Sequence, residues 1–173
     1  DLFRCESLTL HSYWVLVVMD QWSRSIIGFG IHQGYVDGIT LCRLFNQATS
    51  GTDPPRYLSS DNDPLFRFHR WKANLRILEI EEVKSVPFTP ISHPFVERLI
   101  GTIRREYLDH VPFWNSLDLQ RKLNHFKEYY NWYRTHSSLD GQPPKLYRQP
   151  KESKSADIHC YDWKPHCNGL FQI

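Results

Sequence analysis

Apolar residues change their spacing several times along this chain, and each change marks a predicted element. Residues 1–10 predict a short strand with Leu2, Leu8 and Leu10 towards a core. Residues 13–19, Tyr-Trp-Val-Leu-Val-Val-Met, are apolar at every position, as expected of a central strand covered on both faces. Turn chemistry at 20–24 and a further β-forming run at 25–31 complete a meander of three strands. Between 35 and 48 the period lengthens, with Ile39, Leu41, Cys42, Leu44 and Phe45 predicting a helix that stops at Thr-Ser-Gly-Thr-Asp-Pro-Pro. A short strand at 56–60 runs into Asp61-Asn-Asp-Pro64, residues suited to a turn at a strand's end. A short helix is predicted over 65–74, a strand over 75–80 reaching towards Val86, and a proline-broken loop over 87–93. After a loop at 109–115, Ser116 caps a long helix in which Leu119, Leu123, Phe126, Tyr130 and Tyr133 repeat at steps of four and three. Residues 145–156 are polar and predict a linker, and the aromatic stretch 158–173 predicts a small strand or hook.

The segment from Pro94 to Leu108 organises the rest. Ser92 and His93 precede Pro94, and proline suits a first helical position because it lacks the N–H that would go unpaired there. At about 100° per residue, Val96, Leu99, Ile100, Ile103 and Tyr107 share one arc, a face for burial. Glu97, Gly101, Arg104 and Leu108 form a second stripe beside it. A surface glutamate usually has a basic partner three or four residues on, but those positions here are Ile100 and Gly101. An unpartnered acid beside a buried face, with glycine one turn later, marks a place where something large and anionic approaches.

Acids also fall at other element ends. Asp61 ends a short strand, Asp1 lies in the first strand, and 35 residues, 62 to 96, separate Asp61 from Glu97. Converging carboxylates without basic partners repel one another unless a cation sits among them. An all-oxygen set favours Mg²⁺ or Mn²⁺ over zinc. The element order predicts an α/β fold, a mixed sheet flanked by helices, compatible with a ribonuclease-H-like architecture.

These motifs resemble the integrase core of retroviral integrases and the DDE transposases of bacterial insertion sequences. Ser60-Asp-Asn-Asp-Pro-Leu-Phe66 resembles the family's second-acid motif, and Pro94-Phe-Val-Glu97 onward its third-acid helix, at the D-x35-E interval. Asp20-Gln-Trp-Ser-Arg24 resembles the hairpin after the first acid. Tyr130-Asn-Trp-Tyr-Arg-Thr-His136 with Pro143-Pro144 is similar to the Tyr-Asn-x-x-Arg-x-His signature of the bacterial branch. The resemblance implies an acidic triad of Asp1, Asp61 and Glu97 on a ribonuclease-H-like sheet. It implies two divalent ions, roughly 3.5–4 Å apart, that clamp the oxygens of an in-line phosphoryl displacement. It further implies cleavage and strand transfer of DNA, with element ends and target as partners and a homo-oligomer on DNA. Glycine at 101 and arginines at 98 and 104 are expected along the DNA path. Asn131, Arg134 and His136 either cap the end of the long helix or contact DNA. An integrase-type catalytic core is expected over 1–147, with linker and tail over 148–173. A decayed or domesticated core that binds without cutting is the alternative, and the intact acid interval favours activity. A ribonuclease H or related nuclease is a third, and the interval and the Tyr-Asn-x-x-Arg-x-His segment argue against it.

Composition narrows the picture only a little. The 173 residues, 40% of them hydrophobic, suit one globular core, and a net charge of +2 is too mild to announce nucleic acid by itself. No membrane-length apolar run or signal peptide is visible, and a bacterial cytoplasmic protein, nucleoid-associated when bound to DNA, is expected. Asp1 stands directly in strand-like sequence, so a piece of a longer protein with a frayed first ligand is expected. Cys5, Cys42, Cys160 and Cys167 are expected as free thiols, because the spacing of His159-Cys160 and His166-Cys167 fits no common zinc site. Asp20 is the rival first acid, with turn capping as its expected role. Asp63, where many family members have glycine, is expected to face outward. Arg105 is placed to pair with Asp109. Trp14, Trp22 and Trp71 are expected in the core.

Overall fold

A strand apolar at every position needs cover on both faces, and the second strand has it. The structure, a computed structural model, describes residues 1–60, 63–84, 94–147 and 163–172. Strand β2 (Ser12–Met19) lies between β1 (Leu2–Glu6) and β3 (Ile26–Gln33), antiparallel to both. Leu2 stands opposite Leu16 and Tyr13 opposite Gln33, with a register shift between Val18 and Met19. Tyr13, Val15 and Val17 point to one layer, where they meet Leu99, Ile103, Phe126 and Tyr130. Leu16, helped by Trp14 and Val18, points to the other, where it meets Leu41, Phe45 and Trp71. Each buried aliphatic side chain on β2 contributes about 1.5–3 kcal/mol.

The layer on Leu16's side holds α1 (Gly38–Ala48) and α2 (His69–Ile77). Asp37 caps α1, its carboxylate accepting from the Thr40 N–H, so the helix starts later than the periodicity predicts. Leu41, Leu44, Phe45 and Ala48 are buried. A 3₁₀ turn at Pro64–Arg67 precedes α2. Strand β4 (Tyr57–Ser60) pairs in parallel with β5 (Glu81–Lys84), the two joined through that turn and α2. Antiparallel and parallel pairing thus occur together with helices in an α/β fold.

The opposite layer holds α3 (Pro94–Thr102), a π-helical continuation at Ile103–Leu108, and α4 (Ser116–Trp132). The widened turn closes with the Asp109 N–H donating to the Arg104 carbonyl. Leu99, Ile103 and Tyr107 are buried, so the expected face is the buried one. Asn115, not Ser116, is the N-cap of α4, accepting from the Asp118 N–H.

Several expectations need correction. Residues 75–80 are not a strand. Trp71 and Leu75 are buried one helical turn apart, and Ile77, which alternation would turn inward, is 80% exposed. The helix therefore continues to Ile77, and the strand follows it. Strand β1 ends at Glu6; Leu8 is exposed and Leu10 is 85% exposed at φ 60°, while Phe3 supplies the core contact. Trp22 is 72% exposed, whereas Trp71 is buried as expected. The backbone of Asp1 pairs with β2: its nitrogen donates to the Val17 carbonyl, and its own carbonyl accepts from the Val17 N–H.

Asn131 is a structural tie. Its side chain is buried, donates to the Ile26 carbonyl at 2.9 Å and accepts from the Ile26 N–H at 2.8 Å. Both ends of its amide are thus engaged by the backbone of β3 and not by the end of the long helix. Asn131→Leu would leave both Ile26 backbone groups unsatisfied, at roughly 1–3 kcal/mol each. The variant is expected to unfold at a clearly lower urea concentration; an unchanged midpoint would remove this tie from the account.

At the far end, β6 (Pro165–His166) and β7 (Phe171–Gln172) form a hairpin, the expected hook within the described residues. Phe171 stacks on Tyr129 with centroids 4.2 Å apart, and Cys167 is buried in the core cluster. Residues 148–162 lie outside the described set. Cys5, Cys42 and Cys167 are free thiols, and no group of three metal-ligating residues gathers among the described residues. Cys160 and His159 lie outside them. No described helix is long and apolar enough to cross a membrane.

Candidate active-site cleft

The edge where β1, β2 and β4 approach the first turn of α3 forms a cleft. Asp1, Met19, Ser59, Ser60, Phe95 and Val96 are among the residues that line it. The Asp1 carboxylate sits at the strand's start, where Oδ1 accepts the Leu2 N–H at 2.6 Å. Glu97 follows Phe95 and Val96 directly, on the first turn of α3. Its side chain is exposed and forms no ion pair with a described residue. Asp61, next in the chain after Ser60, lies outside the described residues. Of the expected acids, Asp1 is in the described lining of this cleft, and Glu97 is the next residue in the chain after Val96, which lines it.

The other acids nearby are committed elsewhere. The Asp20 carboxylate accepts from the Trp22 N–H, the Ser23 N–H and the Ser23 hydroxyl, which caps the turn as expected. Although burial works against it, this ring of donors holds the Asp20 carboxyl below its usual range. Asp63 is exposed and caps the 3₁₀ turn by accepting the Leu65 N–H, so it faces outward as expected.

The basic residues divide into two groups. Arg104 is exposed, donates to the Arg4 carbonyl and lies over the Phe3 ring, so it leans on β1. Gly101 is half-buried, and the guanidinium of Arg105 lies over it: a Cβ there would come within 3.2 Å of both Arg105 terminal nitrogens. Arg105 thus folds back on its own helix and forms no ion pair with Asp109. Arg98 is exposed and lines a second cleft with Arg24.

The Tyr-Asn-x-x-Arg-x-His segment builds an internal brace. Arg134 donates through Nε and Nη2 to both oxygens of Glu106, at 2.9 and 2.7 Å, a bidentate pair between the end of α4 and the π-helical turn. Its Nη1 donates to Nδ1 of His136 at 3.3 Å, which leaves that imidazole as the acceptor. The His136 ring stands edge-on to Tyr130, 4.7 Å between centroids. Glu106 and Arg24 are the residues sequence reasoning missed. Glu106 falls nine residues past Glu97, and nothing local announces a partner 28 positions away.

Burial first, then the adjacent Arg134 charge, push the His136 imidazole down to about 4. In the unfolded chain it protonates near 6.5. Between these values the unfolded chain binds the extra proton, so this stabilisation is complete above about pH 6.5 and is lost as pH falls towards 4. The full shift corresponds to roughly 3.4 kcal/mol, and solvent screening of this half-buried ring brings the expected decline over that window to about 2–3 kcal/mol. Urea midpoints measured at both ends should show it in the natural chain and show a flatter profile in His136→Gln. Parallel profiles would mean that another group is responsible.

Comparison with known proteins bears on the fold and on sequence similarity. The family described as the integrase core domain matches residues 78–144. An uncharacterized 39.2 kDa protein of insertion element IS476 from Xanthomonas euvesicatoria is 26% identical over 157 residues, covering 91% of this chain and 44% of the relative. Transposase InsD of insertion element IS2 on the F plasmid of Escherichia coli is 28% identical over 112 residues, covering 64% of this chain and 37% of the relative. The chain therefore spans less than half the length of these relatives. Among solved structures, the HTLV-2 integrase catalytic core in complex with magnesium superposes with a TM-score of 0.60 at 20% identity, over 84% of this chain and 90% of that one. A chain of the simian T-cell lymphotropic virus intasome in complex with PP2A regulatory subunit B56 gamma gives 0.65 at 17% identity, over 99% and 64%. These two likenesses establish the ribonuclease-H-like fold. Fold, partial family match and relatives point one way: the chain has the fold of integrase catalytic cores, and its sequence is similar to the integrase core domain over residues 78–144 and to proteins of bacterial insertion elements.

Proposed function

We propose that this chain is the catalytic core of a DNA transposase or integrase that cuts and joins strands with Asp1, Asp61 and Glu97. The observation that carries this is Glu97, an exposed acid without a described basic partner, directly after the residues that wall the cleft holding Asp1 and Ser60. Asp61 follows Ser60 in the chain and completes the set. The proposed donors are all hard oxygens, and no thiol or imidazole lines the cleft among the described residues, which fits Mg²⁺ or Mn²⁺. The likeness to a core solved with magnesium supports the same choice. A bound pair of such ions would neutralise charge at the attacking and leaving oxygens of an in-line displacement.

The chain's own part is to place the strand. Asp1 is fixed by its backbone bonds to Val17, and Glu97 by the helix that the Glu106–Arg134 brace holds. A water or a DNA 3′-hydroxyl attacks one phosphodiester phosphorus, a P–O bond forms, and the bond to the departing 3′-oxygen breaks. Arg98, Gly101 and Arg104 lie along the proposed DNA path, while Arg134 and His136 act by bracing it. The catalytic unit spans 1–147, with 148–173 as linker and clip. It works as an oligomer on element ends and target DNA, in the bacterial cytoplasm. The test is a strand-transfer or disintegration assay on an upstream-extended protein with Mg²⁺, Mn²⁺ or chelator. Activity in both metals and none in chelator is expected; equal activity in chelator would overturn the proposal.

A further inference from the structure

Next to the acid cleft lies a second one, about 280 Å³, formed by the turn at 20–24, the first turns of α3 and the segment after α4. Met19 and Phe95 line both, so a single wall separates them. We infer that this second cleft is a subsite for a nucleic-acid backbone phosphate, with Arg24 and Arg98 as its cationic ligands and the hydroxyls of Thr135, Ser137 and Ser138 as neutral donors.

Arg24 is built into place. Its backbone is left-handed at φ 64°, a conformation that costs a non-glycine residue roughly 1–2 kcal/mol. The capped turn before it holds that geometry, with the Arg24 N–H donating to the Asp20 carbonyl. The result lays the guanidinium 3.1 Å from the Phe95 ring centroid. The planar group keeps its N–H donors around its edge, in the fork geometry suited to phosphate. Arg24 forms no ion pair with a described acid, and neither does Arg98. The acids that would neutralise them are engaged, Asp20 by its turn and Glu106 by Arg134.

Arg24 and Arg98 line the same polar cleft, and neither is ion-paired there, although the Asp20 carboxylate is near enough to favour the charged Arg24. An anion seated between them satisfies both forks. The shared wall with the acid cleft selects the occupant: a strand lying against Asp1 and Glu97 continues past Phe95, and its neighbouring phosphate enters here. The inference rests on the proposed nucleic-acid reading of the acid cleft and adds a second contact point for the same strand.

The test measures affinity of the full chain for a short duplex with a single-stranded overhang, in chelator, between roughly 50 and 200 mM salt. Arg24→Gln and Arg98→Gln are each expected to weaken binding on the order of tenfold at the low end. Because both arginines hold one phosphate, the double variant should reduce the log–log salt slope by about 0.9, not twice that. An unchanged slope, a loss of about 1.8, or no binding by the natural chain would each overturn the subsite. Arg98 is exposed and forms no ion pair with a described residue, so its variant keeps the fold even if Arg24→Gln loosens the Phe95 contact. Metal-dependent cleavage is scored separately. Cleavage with an unchanged slope defeats the subsite alone, and a changed slope without cleavage defeats the catalytic proposal alone.

Discussion

Glu97→Gln is expected to abolish metal-dependent strand transfer while leaving the unfolding curve nearly in place. The substitution keeps size and helix propensity and removes only a charge and a hard ligand. Glu97 is exposed, pairs with no described base and packs no core, so folding loses at most its attraction to the helix N-terminus, under about 1 kcal/mol. Losing a ligand from a metal clamp removes several kcal/mol of transition-state stabilisation, on the order of a thousandfold in rate. Gel assays of strand joining in Mn²⁺, alongside urea denaturation, separate the two effects. Joining within tenfold of the natural chain would take Glu97 out of the triad. A large drop in the urea midpoint would instead make it a structural residue.

Gly30→Val should be the most damaging substitution in the sheet. Strand β3 carries Gly28 and Gly30 where α1 crosses it, and helix and strand meet backbone to backbone. A Cβ at Gly30 would overlap the Leu44 carbonyl oxygen, and one at Gly28 the Ala48 carbonyl oxygen. These obstacles are main-chain atoms within a helix, so no side chain can swing aside. Either α1 lifts from the sheet, uncovering Leu41, Leu44 and Phe45, or the strand bends. Overpacking of this kind costs about 1–3 kcal/mol and more where backbone must move, against a total stability of about 5–15 kcal/mol. The expected readout is a protein that is largely insoluble or unfolds in low urea. A Gly30→Val chain with an unchanged midpoint would mean that α1 does not approach so closely.

Strong periodicity was legible at once. The continuous run of β2, the arc of Val96, Leu99, Ile103 and Tyr107, and Leu119, Leu123, Phe126 and Tyr130 of α4 pack into the core because burial imposes the same period that reveals it, whereas Tyr133, at the C-cap, is 40% exposed. Residues 75–80 misled because Leu75-Arg76-Ile77 and Leu78-Glu79-Ile80 each alternate over a few positions like a strand, while the anchors of that helix, Trp71 and Leu75, lie one turn apart. The acid interval could be counted in the sequence, and Glu97's lack of a partner could be seen beforehand. The brace could not. Arg134 and Asn131 resembled surface groups because their partners, Glu106 and Ile26, are 28 and 105 residues away. Arg24 was hidden for a different reason, since only backbone geometry shows that its turn aims it at Phe95.

The bonds that seal the sheet to its second helical layer span very long stretches of chain. Asn131 reaches Ile26 across 105 residues, and Arg104 reaches Arg4 across 100. During synthesis at about 5–20 residues per second, the meander leaves the ribosome roughly 5–20 s before α4 is available to cover it. For that interval Val15, Val17 and Phe29 present a bare apolar face beside unpaired strand edges, the combination most prone to mispairing with a neighbouring nascent chain. Yield in a cell should therefore depend on translation speed and chaperone supply, and slowing synthesis before position 116 should lower it more than slowing it afterwards.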